Sequence, residues 1–151
     1  MKEAEYLADM RRHFAVQLSQ AVRDTIAAII VTEVGAMSAA RVPTVARIFN
    51  NANRKGTTLA AQMTPAFYGP MRTGAFQKAL AHLTAVQRRT ADRAIDKVMA
   101  GEGGFFTDQG AASEIAGQAT NIGGEYFGHL SGGARWEAKH RAKMAKDIPF
   151  T

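Results

Sequence analysis

Cysteine is absent from the 151 residues. That excludes a disulfide framework, Cys-ligated zinc, iron–sulfur clusters and thiol catalysis. No run of 18 apolar residues occurs. The most apolar stretch, Thr25 to Val34, contains Glu33 and is too short to span a bilayer. The opening Met1-Lys2-Glu3-Ala4-Glu5 carries acids and has no apolar h-region, so no signal peptide is expected. Serine is confined to Ser19, Ser38, Ser113 and Ser131, none in a nucleophile-elbow context. Gly101-Glu102-Gly103-Gly104 lacks the Lys-Ser/Thr of a phosphate loop. His13, His82, His129 and His140 are scattered. Glu125 and His129 stand four apart, but two ligands do not make a metal site. No metal and no cofactor are expected.

What is present is charge arranged in blocks. Residues 1–34 carry four basic and five acidic side chains, and residues 35–100 carry ten and two. Residues 101–134 carry none and four, and residues 135–151 carry five and two, for a net charge of +6. A field of one sign suggests a polyanion partner. Alternating blocks suit self-assembly, in which an acidic patch on one subunit meets a basic one on its neighbour.

Apolar spacing predicts helices. Leu7, Met10, Phe14, Leu18, Val22, Ile26, Ile29 and Ile30 recur at three- and four-residue steps, predicting one amphipathic helix over 2–34 that stops near Gly35. Such a rod would be roughly 48 Å long, against a radius of gyration of about 15 Å for a compact chain of this size. It must break, with Thr32–Gly35 the expected place, or protrude toward a partner. A second helix is predicted over 43–63, with a break near Asn53–Gly56. Residues 64–74 read as a loop. A third helix is predicted over 74–100, capped by Thr73 and ended by Gly101.

Ten of the fourteen glycines fall between 101 and 133, where regular structure forms reluctantly. Short helices are conceivable there, one capped by Ser113 through Ile115 and Ala119, another holding Tyr126, Phe127 and Leu130. Residues 134–146 read as a basic helix carrying Trp136, the one tryptophan. No strand pattern and no internal repeat stand out. The chain is expected to be a mainly α single domain. It comprises a helical core over 1–100, a glycine-rich acidic segment over 101–133, and a basic C-terminal helix and tail over 134–151.

One stretch has a family likeness. Ala91-Asp92-Arg93-Ala94-Ile95-Asp96-Lys97-Val98-Met99 leads into Glu102-Gly103-Gly104-Phe105-Phe106-Thr107-Asp108, then Gly117-Gln118-Ala119-Thr120-Asn121-Ile122-Gly123. This resembles the opening of a phage-type muramidase family. The resemblance implies glycoside cleavage with Glu102 as general acid, in a role that desolvation of a carboxyl would serve. A second stretch joins Arg47-Ile48-Phe49-Asn50-Asn51-Ala52-Asn53-Arg54-Lys55 to Pro70-Met71-Arg72-Thr73-Gly74-Ala75-Phe76. It is similar to phage head–tail joining or tail-completion proteins.

The sequence therefore predicts a non-enzymatic assembly protein of a phage particle. It would act as a homo-oligomer with other particle proteins, cytoplasmic during assembly and in the virion afterwards. Glu102, Asp108, Glu114 and Glu125 would face basic groups of a neighbour, and the helix of Trp136, Lys139 and Lys143 would dock on one. Two other readings stay open. One is a muramidase-like enzyme using Glu102. The other is nonspecific nucleic-acid binding through Arg89, Arg93 and Lys97, spaced i, i+4, i+8, with Arg47, Arg54 and Lys55 added.

Overall fold

The computed structural model describes residues 2–110, 119–129 and 133–147. The fold is mainly α, with a small antiparallel sheet. The predicted first rod is broken. α1 (Glu3–Arg11) runs into a 3-10 segment (Arg12–Gln17), and α2 (Gln20–Glu33) then departs at 119°. The break lies at Leu18–Ser19, not at Thr32–Gly35. Ser19 caps the new helix, its Oγ accepting from Val22 N–H at 3.3 Å. No single helix among the described residues is long and apolar enough to cross a membrane.

The bend lets one apolar stripe serve two cores. Ile26 to Ile30 are all buried, so α2 is the central rod of the main cluster. Phe14, Phe49, Leu59, Phe76, Ile95 and Phe127 pack around it. Tyr6 and Leu7 of α1 instead join Phe105 and Trp136 in a second, smaller cluster. The surplus apolar surface that motivated a protruding helix is thus buried within the chain. Val16, at 92% exposure, is one of three large apolar side chains left exposed among the described residues.

The second predicted helix divides as expected. α3 (Arg41–Lys55) ends at Gly56, which is left-handed, and α4 (Leu59–Gln62) restarts from Thr58. The third divides without having been expected to. α5 (Gly74–Ala81) is capped by Thr73, and α6 (Ala85–Met99) starts from a reciprocal capping box between Thr84 and Gln87. α6 packs on both α2 and α3.

The glycine-rich segment corrects the prediction most. Tyr126 and Phe127 lie on a strand, not a helix. β1 (Asp108–Gly110), β2 (Thr120–Ile122) and β3 (Glu125–Gly128) form an antiparallel sheet in the order β1-β3-β2. Gly123 and Gly124, both at positive φ, turn β2 into β3. Glu125 and His129 therefore share no helix face, and His129 pairs with Glu137 instead. The helix expected from Ser113 falls mostly outside the described residues, as do Glu114 and Leu130. α7 (Gly133–Asp147) follows, close to its predicted bounds.

A buried arginine locks the loop after α6. Arg11 carries no solvent exposure and no acidic partner. Its Nη1 donates to the carbonyls of Val98 (2.9 Å) and Glu102 (2.6 Å). Its Nη2 donates to Gly104 O (2.8 Å) and Asn50 Oδ1 (2.9 Å). Asn50 Nδ2 donates to the carbonyls of Gly104 and Phe106, and Asn51 Nδ2 to that of Thr107. These bonds satisfy carbonyls released where the helix ends. The seam also explains Gly101, which has φ +96° and whose added Cβ would sit 1.7 Å from the Ala4 carbonyl oxygen. Gly101→Ala is expected to cost about 2–4 kcal/mol through strain and the displacement of α1, read as a lower urea midpoint.

Candidate functional site

The described acidic group with the most unusual surroundings is Glu33. It is the last residue of α2, just before the buried Val34 of the main core. Its side chain is 9% exposed, and the facing Arg47 side chain is 7% exposed. Arg47 Nη2 donates to both carboxylate oxygens, at 3.0 and 2.9 Å. The guanidinium in turn lies 4.5 Å over the ring of Tyr68. Tyr68 is buried, and Gln62 Nε2 reaches its hydroxyl at 3.4 Å.

Gln109 Nε2 donates to Glu125 Oε2 at 3.3 Å across β1 and β3, and the Glu125 charge acts on Glu33. Several polar atoms of this cluster are buried with no hydrogen-bond partner: Arg47 Nε, Gln62 Oε1 and Gln109 Oε1. Unsatisfied buried groups are few in native proteins, and catalytic or ligand-binding sites are one reason for them.

Burial pushes the Glu33 carboxyl above its ordinary 4.5, opposed by Arg47 and reinforced by the negative Glu125. Burial likewise pushes the Tyr68 phenol up. The folded chain thus holds a proton on Glu33 at pH values where the unfolded chain has released it. The stability this contributes is present at low pH and is lost as pH rises from 4.5 through the folded value. The stability of the wild type relative to Glu33→Gln is therefore expected to fall across that interval, as measured by urea unfolding at stepped pH.

The residues predicted from sequence are dispersed. Glu102 follows α6 with its carboxylate exposed and without a hydrogen bond or ion pair among the described residues. Only its backbone is held, through Arg11 and through its N–H to Lys97 O. Phe105, expected beside it, packs into the second core. Asp108 and Glu125 lie half-buried on the sheet, and Glu125 is engaged by Gln109.

Arg47 does not join a surface row, since it is 5% exposed and held by Glu33. Arg54 donates to Asn51, and the Lys55 ammonium sits 3.1 Å from the centre of the Phe67 ring. Both stand on the last turn of α3, on a different element from Arg89, Arg93 and Lys97 of α6. Arg89, Arg93 and Lys97 are exposed. Trp136 is buried against Phe105, with ring centroids 5.8 Å apart, so the tryptophan docks on its own chain. Lys139 and Lys143 remain exposed on α7.

No group of three or more potential metal ligands occurs among the described residues. Comparison with protein-family profiles, with curated proteins and with solved structures finds no match.

Proposed function

We propose that the chain cleaves glycosidic bonds of peptidoglycan, with Glu33 as the general acid. One observation carries the reading: a nearly enclosed carboxyl at a helix end, its proton held by burial, among polar atoms that lack partners. Glycoside cleavage requires an acid that stays protonated near neutral pH to protonate the departing oxygen. The muramidase resemblance bears on Glu102 alone, and Glu33 lies outside the stretch that carries it. Burial shifts the Glu33 carboxyl toward keeping its proton, whereas Glu102 is exposed. Arg47, backed by the Tyr68 ring, holds the Glu33 carboxyl through both of its oxygens, and Glu125 is the second acid whose charge acts on it.

The particle-assembly reading rested on the long first helix, the alternating charge blocks and the glycine-rich acidic segment. The bend at Leu18–Ser19 folds that helix back into the chain, while the charge blocks and the acidic segment remain as its support. A phage source remains part of the proposal through the two resemblances.

The test is turbidity clearing of purified cell-wall suspensions, with new carbohydrate ends identified by mass spectrometry. Wild type and Glu102→Gln are expected to clear and Glu33→Gln to fail. Full activity of Glu33→Gln, or an inert wild type on walls of several bacterial classes, would overturn the assignment.

A further inference from the structure

On a separate part of the surface, a cleft of about 230 Å³ opens between the start of α3 and the outer face of α6. Ser38, Arg41, Val42, Thr90, Arg93, Ala94 and Lys97 line it. Three of these are cations, two are hydroxyls, and two form a small apolar floor.

The cations have no acid to answer. Arg93 and Lys97 make no side-chain hydrogen bond or ion pair among the described residues, and Arg41 donates only to the Gly35 carbonyl, at 3.3 Å. Arg41 Nε is buried there without a partner. The Ser38 and Thr90 hydroxyls make no hydrogen bond among the described residues. Like charges converging on one cleft repel each other, and a ligand of opposite sign relieves this. The first turn of α3 adds the positive end of its dipole.

A planar carboxylate is met by one guanidinium fork. A tetrahedral oxyanion uses donors arriving from several directions. Here two guanidinium groups, one ammonium and two hydroxyls come from three elements, the 3-10 turn at Ser38, α3 and α6. A second cleft, lined by Ile30, Val31, Ala36 and Val86, shares Arg41 and Thr90 with the first. It offers an apolar surface beside the cations.

We propose that the Arg41–Arg93–Lys97 cleft binds a phosphate group, free or esterified. The proposal is independent of the role of Glu33. The test is NMR titration of the full chain with inorganic phosphate, with phenyl phosphate and with a short DNA duplex. Inorganic phosphate is expected to shift the amides of residues 38–42 and 90–97 in a saturable manner. Arg93→Ala/Lys97→Ala is expected to weaken that binding at least about tenfold.

Arg72→Ala/Lys78→Ala, a charge-matched change outside the cleft, is expected to leave it within about twofold. Tighter binding of phenyl phosphate than of inorganic phosphate would assign an esterified ligand to the two adjoining clefts. Equal or weaker binding would assign the free ion. Equal weakening by both double variants would overturn the proposal. So would shifts scattered over the basic surface, or binding by the duplex alone, because each reports diffuse attraction to a polyanion.

Discussion

Glu33→Gln is expected to lose at least about a thousandfold of wall-clearing activity, within the range over which a positioned general acid acts. The glutamine keeps the size and a carbonyl acceptor for Arg47 but has no proton to give. Activity of the wild type is expected to fall as pH rises through the folded Glu33 value, because the acid form is then depleted. Glutamine offers Arg47 one acceptor oxygen where the carboxyl offers two, so some stability is lost as well. Circular dichroism and a melting curve separate this cost from the catalytic one. The expected pattern is a folded, inert Glu33→Gln beside a folded, active Glu102→Gln.

The second large effect belongs to Arg11. Arg11→Ala is expected to destabilise the chain by about 4 kcal/mol and to lower Tm by about 10 °C or more. The change removes the donor to Glu102 O and to Asn50 Oδ1, takes one of the donors from Val98 O and Gly104 O, and opens a cavity between α1 and α6. Burial lowers the guanidinium to about 9, with the nearby Glu3 opposing. The group therefore remains charged at neutral pH, and each of its bonds is charge-assisted. Arg11→Lys is expected to recover little, because one ammonium cannot span four acceptors held by a planar fork. A scan in which alanine melts within a degree or two of the wild type would show that the seam is held by Tyr6 and Leu7 alone.

Much of the helical plan is readable in the residues. Thr73, Gly56 and Gly101 mark element ends through local chemistry, and all three act where expected. The Thr84-x-x-Gln87 pair carries an equally local signal for the start of α6. Periodicity concealed it, because apolar spacing continues across His82 and Leu83. The same blindness hides the turn at Leu18–Ser19. Leu7 and Ile26 fall on one continuous stripe, and only their partners, Trp136 for the one and the α3–α6 core for the other, reveal two directions. The strands are three or four residues long and glycine-flanked, too short for alternation to register.

Glu33 was visible as the one charge inside the Thr25–Val34 apolar stretch, and there it served only to exclude a membrane span. Its cue was that same contrast: a carboxylate placed where the chain otherwise buries everything. The burial of Arg11 and Arg47 had no such cue, since amphipathic patterns assign every charge to the outside.

The meeting of α1 and α7 has a consequence for how the chain comes into being. Tyr6 stacks against Phe105 and edge-on to His140, and Glu3 pairs with Arg141 at 2.8 Å. α1 thus waits for α7, synthesised well after it, before its apolar side is covered. Until then Leu7 and Phe105 stand open to water, and a holdase recognising them would find its substrate in the nascent polypeptide rather than in the finished one.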